Sequence, residues 1–439
     1  MNPAAGTEGG GKQPASDRTP AVKALTLACL ALAIAWAVAL VEWREGYDSV
    51  VRLMHWWLVW AGGDDSWMPM RAAYAWHEAG HSGTMYQHVL FAQHIKFQYP
   101  PTSLLVFAIP DALHMPVSDG FLNLVGWLSV LVEAAATAAL MALATREWRY
   151  PGLRFAAVLL AFIMSLTFYP VLWAYKEGQI QTWLSAWFAA AALFFFVGRK
   201  RMAGGLAGAI CIAKPQFVVF LVWALLRRER SFAASMAVVL AVVLSASLLV
   251  FGWSDHVGYL AALSYMSQHG EAFLRNYSVN GVMNRLLHNG YSIDFQSHAY
   301  APYNPVVYAA TVASSIAIIA SCLLYRRREA ATVADFLAAG LSLTIASPIA
   351  WEHHYGILPP AFAILTIALV RRSGKPDNRM LAAVLFAAFL ACDIVVPCIA
   401  AWAYGPVSIL QATVLFGALA VLFLLYRLRP GLQLRVVNA

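Results

Sequence analysis

The sequence predicts an all-α protein, a polytopic bundle of membrane-spanning helices, and two observations carry that expectation. Hydrophobic residues make up 61% of the 439-residue chain and charged residues 12%, against about 45–50% and about 25% in soluble globular proteins. Apolar runs near the ~20 residues that cross a bilayer core recur along the chain. Mean hydropathy is +0.63. A soluble chain of this size cannot bury so much apolar surface, which excludes the soluble, disordered, fibrous and disulfide-scaffold classes.

Taken in order, residues 1–20 read as a polar, disordered cytoplasmic tail. The first apolar run, from near Ala21, is long enough to stay as an anchor rather than be cleaved as a signal peptide. Ten full spans are expected, near 21–42, 118–144, 153–172, 179–198, 231–252, 304–325, 330–350, 355–371, 380–399 and 405–427. Residues 102–114 are too short for a crossing and read as re-entrant. Residues 203–227 hold Lys214-Pro215 at their centre, between two basic clusters, and read as a broken hairpin. Residues 21–427 form one domain on this reading, and 428–439 a cytoplasmic tail.

The basic residues orient the bundle. With the N-terminus inside, 22 of the 30 Lys and Arg residues fall on the cytoplasmic side, seven fall outside, and Lys214 lies at membrane depth. Both termini are then cytoplasmic. All 12 histidines fall outside, in loop 43–101, at His114, in loop 253–303 and at His353-His354. The working face is therefore expected on the outer side. The net charge of +8 comes from these topology clusters and does not imply nucleic acid. Cys29, Cys211, Cys322, Cys392 and Cys398 lie in apolar segments without metal-ligand spacing and read as small hydrophobes.

Seven motifs fall on or beside the working face. Gly62-Gly63-Asp64-Asp65 precedes a short interfacial helix. A carboxylate there can cap the helix, bind a divalent cation or act as a general base. His77-Glu78-Ala79-Gly80-His81 matches H-E-x-x-H, which binds zinc when both histidines share a helical face. Gly80 and Ser82-Gly83 interrupt that helix, so no metal site is expected. Tyr99-Pro100-Pro101 shapes a wall. In Lys176-Glu177-Gly178-Gln179, Glu177 can cap a helix and Gln179 can hydrogen-bond a sugar. Lys214 either meets an anion or pairs with Glu133 or Asp393, the other mid-span charges. Arg275-Asn276-Tyr277-Ser278 and Ser347-Pro348 through Trp351-Glu352-His353-His354 complete the set. The latter can hold phosphate, metal or a hydroxyl, or be a polar turn.

In this order the motifs resemble glycosyltransferase family 87, which includes mannosyltransferases of phosphatidylinositol-mannoside synthesis. The likeness runs over about residues 60–370. It rests on the acidic residue before Ala72-Ala73, then Tyr99-Pro100-Pro101, Gly178-Gln179, Lys214-Pro215, Asn276-x-Ser278 and Ser347-Pro348-x-x-Trp351-x-His353-His354. The resemblance implies a GT-C bundle in the cell (inner) membrane with an outward-facing, inverting active site. The donor would be a polyprenyl-phosphate sugar, mannose-like in the hexose it carries, and the acceptor a lipid or glycan hydroxyl. No cofactor is implied. Asp65 matches the family's acidic residue, with Asp64 one register away. Lys214, Arg275, His353 and His354 would hold the phosphate, and Tyr99, Gln179, Asn276 and Glu352 the sugar or acceptor. The His77–His81 stretch departs from the family, which is usually apolar there. Two rival classes remain at this point. A transporter or flippase would need an internal repeat and a charged path, and the chain has neither. A zinc protease would need the interrupted helix.

Overall fold

The computed structural model describes residues 18–80, 83–394 and 404–429. Among these there is no β-strand, only one isolated bridge between Asn276 and Trp351. Seventeen α-helices follow in order: α1 (Arg18–Arg44), α2 (Val50–Leu58), α3 (Trp67–Glu78), α4 (Leu105–Ala112), α5 (Asp119–Ala144), α6 (Pro151–Leu166), α7 (Tyr169–Lys176), α8 (Gln181–Phe196), α9 (Lys200–Ile210), α10 (Val219–Leu226), α11 (Arg230–His269), α12 (Val279–Leu286), α13 (Pro305–Leu324), α14 (Val333–Ile345), α15 (Pro359–Arg371), α16 (Asn378–Asp393) and α17 (Thr413–Leu428). The expected tails fall largely outside the described residues, as do His81 and Cys398. The four described cysteines are free.

Helix α5 fixes the axis. Ser118 caps its start by accepting from Phe121 N–H at 3.1 Å, and Asp119 there pairs with Arg71 at 2.7 Å. At its other end the Ala144 carbonyl accepts from Arg371 at 3.4 Å. One end of the bundle thus carries most of the histidines and acidic residues, and the other the arginine clusters. Toward the arginine-rich end, Phe188, Phe195, Phe220 and Phe232 meet Phe336 of α14, with ring centroids 5.0–6.2 Å apart. This aromatic knot is part of the buried core.

Ten full crossings overcount the long helices. Four expected spans are continuous helices long and apolar enough to cross: 21–42, 118–144, 231–252 and 304–325. Span 153–172 is a pair, α6 and α7, bent by 41° where Pro170 enters the first turn of α7. The others are helices of 13–16 residues. Two of these expected spans begin with 3₁₀ turns, Glu352–Ile357 and Pro406–Gln411. The reason is visible in α14, whose 13 residues are all buried. A helix enclosed by other helices need not match the hydrocarbon thickness, because protein and not lipid covers its ends. The region expected as an outer loop, 253–303, is partly helical. Helix α11 bends at Gly252 and continues to His269, and α12 follows.

Both unusual segments contain a 3₁₀ turn beside a short α-helix. Residues 101–112 are a 3₁₀ turn, Pro101–Leu104, and eight-residue α4. Residues 200–229 go in and come back: Lys200 at the start of α9 lies 3.7 Å from Glu229 just after α10, and Lys214-Pro215 forms the break between. Thr102 donates to the Ile212 carbonyl at 2.7 Å, so the two segments meet near that break.

Candidate active site

The Gly62–Ser66 loop is built onto the turn after α7. Gly63 N–H donates to the Lys176 carbonyl at 2.8 Å, Asp65 N–H to Glu177 at 2.9 Å and Ser66 N–H to Gly178 at 3.4 Å. The fit is close. Gly178 has φ +69°, and a Cβ there would stand 1.9 Å from the Gly63 carbonyl oxygen. Glycine is required at 178 on both counts. Two motifs 114 residues apart in sequence are therefore one structural unit.

That unit holds Asp65. The Gln179 amide donates to Asp65 Oδ2. Ser66 Oγ donates to Gln179 Oε1 at 2.8 Å, which fixes the amide with its nitrogen toward the carboxylate. The Tyr99 hydroxyl lies 2.7 Å from Ser66 Oγ and 3.2 Å from Gln179 Oε1. Ile180 N–H donates to Ser66 Oγ at 3.0 Å. Asp65 itself stays open to water on its cavity side. Partial burial first, and then repulsion from Glu177, push its pKa up to about 6, against the lowering effect of the Gln179 hydrogen bond. Neither aspartate caps α3 with its side chain. Ser66 occupies the N-cap position, and Asp64 contributes only its carbonyl, to Met68 N–H at 2.7 Å. Glu177 does not cap α8 either, because it ends α7 and pairs with Lys176 at 2.7 Å.

Asp65, Tyr99 and Gln179 line a cavity of about 270 Å³ together with Lys214, His353 and His354. The Lys214 side chain makes no ion pair or hydrogen bond among the described residues, neither with Glu133 nor with Asp393. Both carboxyl oxygens of Glu133 are buried without a hydrogen-bond partner, and Asp393 accepts from Tyr169 N–H at 2.8 Å. His353 Nδ1 is buried and unpartnered. Burial, reinforced by the charge of Lys214, holds both imidazoles well below the usual histidine range, so they are neutral at pH 7. Neutral imidazoles can donate hydrogen bonds from one ring nitrogen each.

Four expected residues stand apart from this cavity. Asp64 is exposed at the surface of the loop. Arg275 pairs with buried Glu352 at 2.7 Å, approaches the Tyr169 hydroxyl at 3.3 Å and covers the Trp173 ring. Asn276 accepts from Ala350 N–H at 2.9 Å and donates to the carbonyls of Glu271 and Pro348 at 2.8 and 3.2 Å. These three tie the segment before α12 to the segment carrying the histidine pair. They support the site rather than line it.

Three participants carried no motif. Ser66 lies between a carboxylate and Trp67, and only its hydroxyl at a helix start signals it. Lys96 also lines the cavity, buried against Glu271 and facing the rings of Phe295 and Tyr300 at 4.7 and 4.6 Å. Burial pushes the Glu271 carboxyl up to about 7, opposed by the Lys96 charge. A lone lysine within Ile95-Lys96-Phe97 was its only sequence signal.

The H-E-x-x-H stretch straddles the end of α3. Helix α3 ends at Glu78 with Ala79 as C-cap, and the His77 ring packs on Phe251 at 4.9 Å. His81 lies outside the described residues. Among those described, no three His, Cys, Asp or Glu side chains are grouped as metal ligands.

An apolar groove adjoins the cavity. It runs between α11 and the α9–α10 hairpin, measures about 560 Å³, and shares Pro215, Tyr259 and Leu263 with the cavity wall. The cavity thus lies beside an apolar groove, among apolar helices. The family model of glycosyltransferase family 87 matches residues 97–348, more than half of the chain. The chain belongs to this family and is a membrane glycosyltransferase. The match includes Tyr99, Gln179, Lys214, Arg275 and Asn276, and leaves Asp64, Asp65, Glu352, His353 and His354 outside it. Neither a curated protein nor a solved structure matches the chain.

Proposed function

We propose that the protein transfers a hexose, mannose-like, from a polyprenyl-phosphate donor to a hydroxyl of a lipid or glycan on the outer face of the cell membrane. The observation that carries this reading is one cavity joining an activated carboxylate to an unpaired lysine, with an apolar groove alongside. The groove suits the polyprenyl chain. Lys214 and the His353 imidazole suit the phosphate.

Asp65 takes the acceptor proton as the hydroxyl oxygen attacks the anomeric carbon. The bond from that carbon to the phosphate oxygen breaks, and its electron pair leaves on the polyprenyl phosphate. The leaving group needs charge stabilisation rather than a proton, and Lys214 with a donor from His353 supplies it, while His354 is held by the Ile349 carbonyl. A single displacement inverts the anomeric centre. A base with a pKa near 6 is mostly ionised at pH 7 and still basic enough to accept a proton. The Gln179–Ser66–Tyr99 chain holds its angle.

The test is transfer by purified protein from a panel of polyprenyl-phosphate hexoses and, separately, nucleotide hexoses. Transfer from one lipid-linked donor, with product of inverted configuration, is the expected result. Transfer from a nucleotide donor alone, or retention, contradicts it. Cysteine labelling in a background lacking native cysteines tests the side. Tyr291→Cys, exposed near the cavity end, should react from outside, and Lys375→Cys should not. The reverse pattern contradicts the outer placement.

A further inference from the structure

At the arginine-rich end a second groove, of about 410 Å³, lies between α1, α15 and α16. Its walls are apolar, with Leu27, Ala28 and Ala31 of α1 facing Phe362 of α15 and Phe386 and Phe389 of α16. The alanines leave the space a larger residue would fill. The groove continues inward past Ala28, Met164 and Phe389 to Thr137 and Ser165.

Its mouth is cationic. Lys23 of α1 and Arg379 in the first turn of α16 line it, both exposed. Neither makes an ion pair or hydrogen bond among the described residues. Neighbouring arginines are already engaged: Arg372 and Arg427 hold Asp377 at 2.7 and 2.9 Å, and Arg371 reaches Glu147 at 3.9 Å. Asn378, also at the mouth, donates from its amide nitrogen to the Leu369 carbonyl at 3.1 Å. Its oxygen is buried without a donor. The N-terminus of α16, a helix of 16 residues, begins at this point and adds its positive end.

We propose that this groove binds an anionic phospholipid of the surrounding leaflet, with the headgroup phosphate between Lys23 and Arg379 and an acyl chain along the phenylalanine wall. Basic pockets between helices at a membrane surface hold anionic headgroups in this way. A zwitterionic lipid would bring its own cation next to two others. The site lies at the opposite end of the bundle from the Asp65 cavity and does not depend on the sugar-transfer reading.

The test is native mass spectrometry of the full chain with equal amounts of phosphatidylglycerol and phosphatidylcholine of the same acyl chains. Two cations at one headgroup predict a preference for the anionic lipid of roughly tenfold or more. Lys23→Gln with Arg379→Gln should reduce that preference to about twofold or less, since both charges are removed. Ala28→Trp should remove retention of both lipids by filling the groove. Arg201→Gln, an exposed cation of the same end outside the groove, should keep the wild-type preference, and excess inorganic phosphate should not displace the lipid. Equal retention of both lipids by the wild type overturns the proposal. So does an unchanged preference in the double variant, displacement by inorganic phosphate, or a dimer that Ala28→Trp dissociates. If the double variant does not fold, Arg379→Gln alone carries the comparison and must still lower the preference.

Discussion

Two aspartates at opposite ends of the bundle show how the same side chain serves two ends. Asp335, at the start of α14, is buried and saturated. Arg429 donates to both of its oxygens at 2.8 and 3.0 Å, Arg227 approaches at 3.3 Å, and Thr332 donates from backbone and hydroxyl at 2.8 Å each. Asp65 accepts one amide hydrogen bond, faces water, and feels the repulsion of Glu177 and Asp64 more than the attraction of Lys96. The oxygens of Asp335 are taken up by two guanidinium groups and a threonine. Asp65 keeps lone pairs free and has a raised pKa. The arginine-rich end is a fastening, and the histidine-rich end is where proton chemistry is available.

Variants sharpen this contrast, the largest effect first. Asp335→Ala leaves Arg227 buried without its counter-charge and Arg429 with Glu329 alone, and should cost about 3–5 kcal/mol of stability, read as loss of folded protein in a detergent thermal melt. A melt unchanged from wild type would mean the fastening is dispensable. Lys214→Met should fold normally, since the lysine has no partner among the described residues, and should lower kcat/KM for the donor roughly 10²-fold. Misfolding rescued by Glu133→Gln would instead point to a structural pair.

Gln179→Ala should lower transfer by roughly tenfold through loss of positioning. It also carries a sign. The Gln179 hydrogen bond lowers the Asp65 pKa, so its removal raises that pKa. In the wild type the rate should fall as pH drops through about 6, and in Gln179→Ala the fall should begin at higher pH. An acid limb that does not move would detach the base from this amide. Asp64→Asn, at an exposed position, should change transfer least, about twofold or less.

The contrast also shows what a sequence alone can place. The apolar runs gave the helical membrane class, and Lys214-Pro215 gave the broken hairpin, because proline beside a charge at membrane depth has few other solutions. The union of Asp65, Gln179, Lys214 and the histidine pair followed from ordered motifs on one predicted side. The short central helices were not legible. Apolarity over 330–350 measures burial, and burial inside protein looks the same as burial in lipid. Nor was the split between lining and supporting residues: Asn276 and Gln179 are both amides in short motifs, and only the fold shows which one meets a carboxylate. Ser66 and the Lys96–Glu271 pair depend on contacts across 33 to 175 residues, which no local pattern records.

The central claim is that Asp65 takes the acceptor proton. Single-turnover transfer by Asp65→Asn, started from protein already loaded with a polyprenyl-phosphate hexose, tests it most directly. The variant keeps the shape and an oxygen that can accept from Gln179 but cannot act as a base. The account predicts normal folding, near-normal donor binding and transfer slowed by at least about 10²-fold, with the acid limb near pH 6 abolished. Near-wild-type transfer with that limb intact would contradict it.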